Sequence, residues 1–361
     1  MHRSLDTEAF RSFLVIRRDN IGDLVCTLPL IAALRRRYPA ARIEALVNSY
    51  NRDVLEGHPD LDAVHAYSKG KHREGESLAA VYARRLRLLW SLRRADEGRG
   101  FDCAILAAPG EQPRSLGYAR RVAARHVLGY VSPGRTLRGI DLPVTYQPEA
   151  QAHEVEKVFA LLAPLGISEE PPAAMLRPHA DALARVQTAL SDKATGPGPL
   201  VALHISARKP SQRWPVERFE QVARTLHERH GARLVLLWAP GDEANRLHPG
   251  DDGKAAALAG SLAGLPVLPY ATAQLADLIA ALSACDSVIC ADGGAMHLAA
   301  ALGKPIMALF GDSDPARWHP WKVNHRVLQM PSREVRDIDT AAVLRAWEEL
   351  TATPRQAPGS G

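Results

Sequence analysis

Cysteine is scarce and scattered. The 361-residue chain has four, Cys26, Cys103, Cys285 and Cys290, with no C-x-x-C pair among them. That spacing suggests neither a disulfide framework nor a zinc site. No apolar run approaches the ~18 residues of a membrane-spanning helix. Met1 to Ser12 lacks the apolar core of a signal peptide, so a cytoplasmic protein is expected. Aromatics make up 6% of the chain and are not interleaved with the basic residues, and no nucleic-acid module is present, so no nucleic-acid partner is expected. The first strand–loop–helix unit lacks G-x-G-x-x-G, which argues against a dinucleotide-dependent dehydrogenase.

What is there describes an ordinary soluble protein of about two domains, 46% apolar and 24% charged. The net charge of +5 is unevenly placed: residues 1–178 hold 26 Lys+Arg against 21 Asp+Glu, whereas residues 179–361 hold 19 of each. Between Val64 and Arg138 there are 15 basic and 6 acidic residues. An anionic partner is therefore expected at the N-terminal half, through Lys69, Lys71 and Arg73, with Arg120 and Arg121 as further candidates. The alternative for these residues is a solvated face.

The stretch Asp286 to Gly311 organises the second half. Val288 to Cys290 suits a buried strand, Asp292 falls at its carboxyl end, Gly293 and Gly294 follow, and a helical pattern runs from Ala295 until Gly303 and Lys304-Pro305 end it. Ligands of open α/β sheets sit at such strand ends. The helix start and its glycines favour a phosphate, Asp292 could accept from sugar hydroxyls, and His297 could donate to an oxygen beside them. Equally, Asp292 caps the helix and His297 is a satisfied polar residue against the sheet. At the N-terminal end, Phe13 to Arg17 reads as a strand and Leu24 to Arg37 as a helix, with Asp23 between them at the carboxyl edge, either as a reactive carboxylate or as a dipole partner.

Four motifs occur in order: Ile21-Gly22-Asp23 with T-L-P-L-I-A-A-L-R-R-R-Y-P; His153-Glu154-Val155-Glu156; Arg213-Trp214-Pro215 with E-R-F; and A-D-G-G-A-M-H-L-A-A-A-L-G-K-P with F-G-D-S-D-P. Together, over roughly residues 13–330, they resemble the family-9 glycosyltransferases, the bacterial heptosyltransferases of lipopolysaccharide inner-core synthesis. The resemblance implies an α/β fold of GT-B architecture, two Rossmann-like domains facing across a cleft. It implies an acceptor-side domain over 1–178, a nucleotide-sugar-binding domain over 179–333, a C-terminal helix over 334–353 packing back on the first domain, and a disordered tail over 354–361.

By the same resemblance, Asp23 is the catalytic base. Arg213, Asp292, Gly293, Gly294 and His297 bind the donor, with Ser206 and Lys209 in the matching polar loop. The implied reaction is an inverting transfer of heptose from ADP-heptose as co-substrate to an anionic lipopolysaccharide-core glycolipid, with peripheral contact at the inner membrane. Asp312-Ser313-Asp314 has the spacing of a metal motif but matches the family's Gly-Asp-Pro-like turn, so neither metal nor cofactor is expected. The family's usual Thr or Ser after the aspartate is Gly293 here, which removes a hydroxyl contact to the donor. Competing readings keep the fold with another nucleotide-sugar, or a protein or secondary-metabolite acceptor, or an inert nucleotide-sugar-binding protein; retention of Asp23 argues against the last.

Overall fold

Short aliphatic runs alternate with amphipathic or Ala/Leu-rich segments, and the alternation resolves into two parallel α/β units divided between Ala174 and Met175. The computed structural model describes residues 6–68, 77–94, 100–245 and 249–352. Lys69, Lys71, Arg73 and the tail 354–361 lie outside the described residues.

The first unit runs β1 (Ser12–Ile16), α1 (Ile21–Val25), α2 (Leu28–Arg37), β2 (Arg42–Asn48), β3 (Ala63–Tyr67), α3 (Leu78–Arg93), β4 (Cys103–Leu106), α4 (Pro113–Arg121), β5 (His126–Val131), β6 (Leu142–Thr145) and α5 (Glu154–Phe159). Its sheet has the order β3-β2-β1-β4-β5-β6, every pairing parallel. Strands β1 and β4 are buried throughout, which explains the continuous apolar runs S-F-L-V-I and C-A-I-L in place of alternation. One expectation shifts. The helix expected from Leu24 to Arg37 begins at Ile21 and is interrupted at Cys26–Thr27. Asp23 accepts from the Asn20 N–H at 3.0 Å, which starts the first turn early.

The second unit runs α6 (Ala180–Lys193), β7 (Leu200–His204), α7 (Val216–His230), β8 (Arg233–Trp238), α8 (Asp252–Ser261), β9 (Val267–Ala271), α9 (Leu275–Ala284), β10 (Ser287–Ala291), α10 (Gly294–Ala301), β11 (Ile306–Phe310), α11 (Pro315–Trp318), β12 (His325–Gln329) and α12 (Thr340–Ala352). Its sheet order is β12-β11-β10-β7-β8-β9, again parallel. Each sheet therefore reverses its winding once, between β1 and β4 in the first and between β7 and β10 in the second. These are the topological switch points at which open α/β sheets bind ligands.

The last helix places its apolar face in the second unit. Val343, Leu344, Trp347 and Leu350 belong to the core of the second unit, with Phe219, Leu226, Ile289 and Met307. Trp347 also donates to Ser287 Oγ at 3.0 Å. The apolar face of α12 is thus used within its own unit. No helix among the described residues is long and apolar enough to cross a membrane.

Candidate active site

At the first switch point Arg17 directly follows β1 and is buried, 1% exposed. Its NH1 donates to the Ala107 carbonyl just past β4, which ties the two central strands together at 2.6 Å. NH2 meets Asp23 Oδ1 at 3.0 Å and Glu154 Oε1 at 3.1 Å. Nε lies 3.0 Å from Asp19 Oδ2, an ion pair without hydrogen-bond alignment. Burial works against the guanidinium's charge, but Asp23, Asp19 and Glu154 outweigh it and hold Arg17 above its ordinary pKa. Glu154 reaches this cluster because its neighbours cap α5: His153 Nδ1 accepts from the Val155 N–H and Glu156 accepts from the His153 N–H at 2.7 Å. Asp23 is thus clamped by Arg17 on one oxygen and Asn20 on the other.

At the second switch point three loops converge. Gln212 donates to Asp292 Oδ2 at 3.0 Å and to Ser313 Oγ at 3.3 Å. Lys209 Nζ lies 3.1 Å from Asp312 Oδ1. Gly311 allows this approach: a Cβ there would stand 2.4 Å from the Ser211 carbonyl oxygen. His297 is buried in the first turn of α10, its ring edge-on to Trp318 at 5.9 Å between centroids. Gly293 precedes α10 in an extended conformation (φ 163°), and an added Cβ there meets nothing within 4 Å. No steric need in the fold therefore selects glycine at 293.

Other expected donor residues hold the loops. Ser206 Oγ accepts from the Ala239 N–H at 2.9 Å. Arg213 donates to the Ala207 carbonyl, lies 3.5 Å from Asp251 Oδ1 and 3.9 Å from Glu243, and remains 26% exposed. Asp251 is fully buried and its oxygens have no hydrogen-bond partner, so Arg213 is the ion-pair partner of that carboxylate. The D-S-D turn is otherwise occupied: Asp312 pairs with Lys209, and Asp314 caps α11 by accepting from the Ala316 N–H.

One residue beyond Arg17, Arg18 enters a cavity of about 790 Å³ lined by Arg85, Arg114 and Arg121 as well and, among the described residues, by no carboxylate. Arg18 Nε donates to the Tyr67 hydroxyl at 2.7 Å, and its guanidinium lies over the Tyr118 ring at 5.3 Å. Burial raises Tyr67 to about 12 against the opposing charge of Arg18. Arg85 donates to the Ser68 carbonyl, and its Nε has no hydrogen-bond partner. Of the expected acceptor residues Arg121 lines this cavity; Arg120 does not and donates instead to the Arg138 carbonyl. Consecutive helical residues point about 100° apart, so both could not face it.

The family model of glycosyltransferase family 9 (heptosyltransferase) matches residues 89–346, more than two thirds of the chain. The chain belongs to glycosyltransferase family 9. Its fold is that of solved members. A family-9 glycosyltransferase from Veillonella parvula superposes with a TM-score of 0.77 at 20% identity, over 97% of this chain and 99% of that one. The Escherichia coli heptosyltransferase WaaC with ADP-2-deoxy-2-fluoro heptose does so at 0.71 and 21%, over 94% and 99%. Among curated relatives, a lipopolysaccharide heptosyltransferase 1 of Escherichia coli is 23% identical over 339 residues, 93% of this chain and 97% of the relative.

Three residues of this candidate site were not among the expected ones. Arg17 reads in sequence only as the end of an apolar strand. Glu154 reads as part of a motif without a role, and Gln212 as one polar loop residue among several. Their partners lie 6, 137 and 80 positions away. The available signal was the charge itself: a basic residue closing a fully apolar strand requires a buried counter-charge.

Proposed function

We propose that this glycosyltransferase moves heptose from ADP-heptose to an anionic lipopolysaccharide inner-core acceptor in the cytoplasm, with inversion at the anomeric carbon and Asp23 as general base. The observation that carries the reading is the clamped Asp23 carboxylate at the first switch point. Each carboxylate oxygen has two acceptor positions, so Asp23 retains capacity for an incoming hydroxyl. As that hydroxyl oxygen attacks the anomeric carbon, its proton passes to Asp23, the bond from the sugar to the β-phosphate breaks, and ADP departs with the electron pair.

The leaving diphosphate gathers negative charge, for which the start of α10 at Gly293 and Gly294, together with Lys209 and Arg213, supplies a positive field without a metal ion or cofactor. Asp292, held by Gln212, is suited to sugar hydroxyls, with His297 beside it. The donor assignment is supported by the ADP-heptose analogue in the structure of the Escherichia coli relative. The acceptor assignment is supported by the four-arginine cavity, whose guanidiniums match phosphate or carboxylate groups, together with Lys69, Lys71 and Arg73 nearby in the chain.

Mass spectrometry of the acceptor after incubation with ADP-heptose and a panel of other nucleotide-sugars, in EDTA, tests the reading. One heptosyl mass should be added from ADP-heptose alone. Transfer from a different donor only, or activity lost in EDTA and restored by Mg²⁺ or Mn²⁺, would overturn it.

A further inference from the structure

Helix α3 has two apolar faces where a peripheral helix needs one. Its inner face buries Val81, Leu89 and Leu92, the last two in the core of the first unit. Beside that face stand Tyr82, Leu86 and Trp90, exposed at 57%, 61% and 57%. Their i, i+4, i+8 spacing stacks them into one continuous stripe. The remaining large exposed apolar residues among those described, Tyr50, Met175 and Met330, are scattered singly, as on any protein surface.

The charge carried by the helix itself has one sign. Helix α3 carries Arg84, Arg85, Arg87 and Arg93 and no carboxylate. Arg94 at its end stacks over the Trp90 ring at 3.8 Å. Tyrosine and tryptophan favour the boundary between water and hydrocarbon, and arginine stems lie along apolar surface while their heads reach phosphates.

We propose that α3 lies on an anionic lipid bilayer, with Tyr82, Leu86 and Trp90 entering the boundary between headgroups and acyl chains and the arginines resting on lipid phosphates. A second copy of the chain fits this face poorly, because a two-fold contact would set one arginine-rich helix against another with no carboxylate of α3 between them. The same helix lines the four-arginine cavity through Tyr82, Arg85 and Leu86. Docking therefore brings the mouth of that cavity to the lipid surface, where the anionic head of a lipid-borne acceptor enters without leaving the bilayer. Only this last step rests on the proposed function.

The test uses the full-length protein and acceptor-free vesicles, so it is independent of glycosyl transfer. The protein should sediment with phosphatidylglycerol-containing vesicles more than with pure phosphatidylcholine, less so at high salt. Leu86→Ser/Trp90→Ser should lower the partition coefficient at least about tenfold, with the circular dichroism and Tm of the parent. The four native cysteines are buried, so an environment-sensitive fluorophore on Ala83→Cys, at an exposed position of α3, reports this helix alone. Its emission should shift to the blue on anionic vesicles. A double variant that binds like the parent, or a bound protein whose probe does not shift, would overturn the proposal. So would a parent that ignores vesicles but forms a dimer lost in the double variant.

Discussion

Removing Arg17 tests the carboxylate cluster. Arg17 and Glu154 are each 1% exposed, so Arg17→Met leaves the Glu154 charge buried with its guanidinium gone. Breaking a buried ion pair from one side costs ~3–5 kcal/mol. Asp23 and Asp19 are 16% and 41% exposed and regain water, so they add little. Adding Glu154→Gln removes the buried charge and should recover about half of the loss or more, a coupling that separate sites would not show. Equilibrium urea unfolding at pH 7, followed by far-UV circular dichroism, measures all three variants on one scale. If Arg17→Met does not fold, Arg17→Lys, which keeps the charge but loses the fork, should cost ~1–2 kcal/mol. An Arg17→Met protein within ~1 kcal/mol of the parent, or a double variant no more stable than the single one, would refute the reasoning.

Two other outcomes follow from the second unit. Burial lowers Lys254 to about 8 even with Asp251 near it. Below pH 8 both folded and unfolded chains carry that proton; between pH 8 and ~10.4 only the unfolded chain does, so stability should rise with pH across this window, by about 2 kcal/mol after allowing for its partial exposure. Lys254→Met should flatten that rise; an unchanged profile would contradict the assignment. Gly293→Ser should be tolerated within ~0.5 kcal/mol, since its Cβ meets open space. By offering a hydroxyl to the donor it should lower the donor KM ~2–10-fold, and a stability loss above ~1.5 kcal/mol would show that the position is not open.

The parallel sheets were legible in sequence because buried strands such as Val288 to Cys290 are continuous apolar runs, this one followed by Gly293 and Gly294. Asp23 and Asp292 were legible as strand-end carboxylates. The early start of α1 was not, because it depends on a side-chain cap from Asp23 rather than on apolar periodicity. The Arg17–Glu154 and Gln212–Asp292 ties join residues 137 and 80 positions apart, and no local pattern carries them. The last helix is a related case: its periodicity announces an apolar face, and only the fold shows that it shares a core with Phe219, Ile289 and Met307.

The most direct measurement is of Asp23→Asn, comparing its kcat for heptosyl transfer with its affinity for ADP. The amide keeps the shape and one oxygen for Arg17, gives up the contact from Asn20, and cannot take the acceptor's proton. The expected result is a fall in kcat of ~10²–10⁴ with ADP affinity unchanged. Turnover near that of the parent would contradict Asp23 as the base, and with it the proposed mechanism.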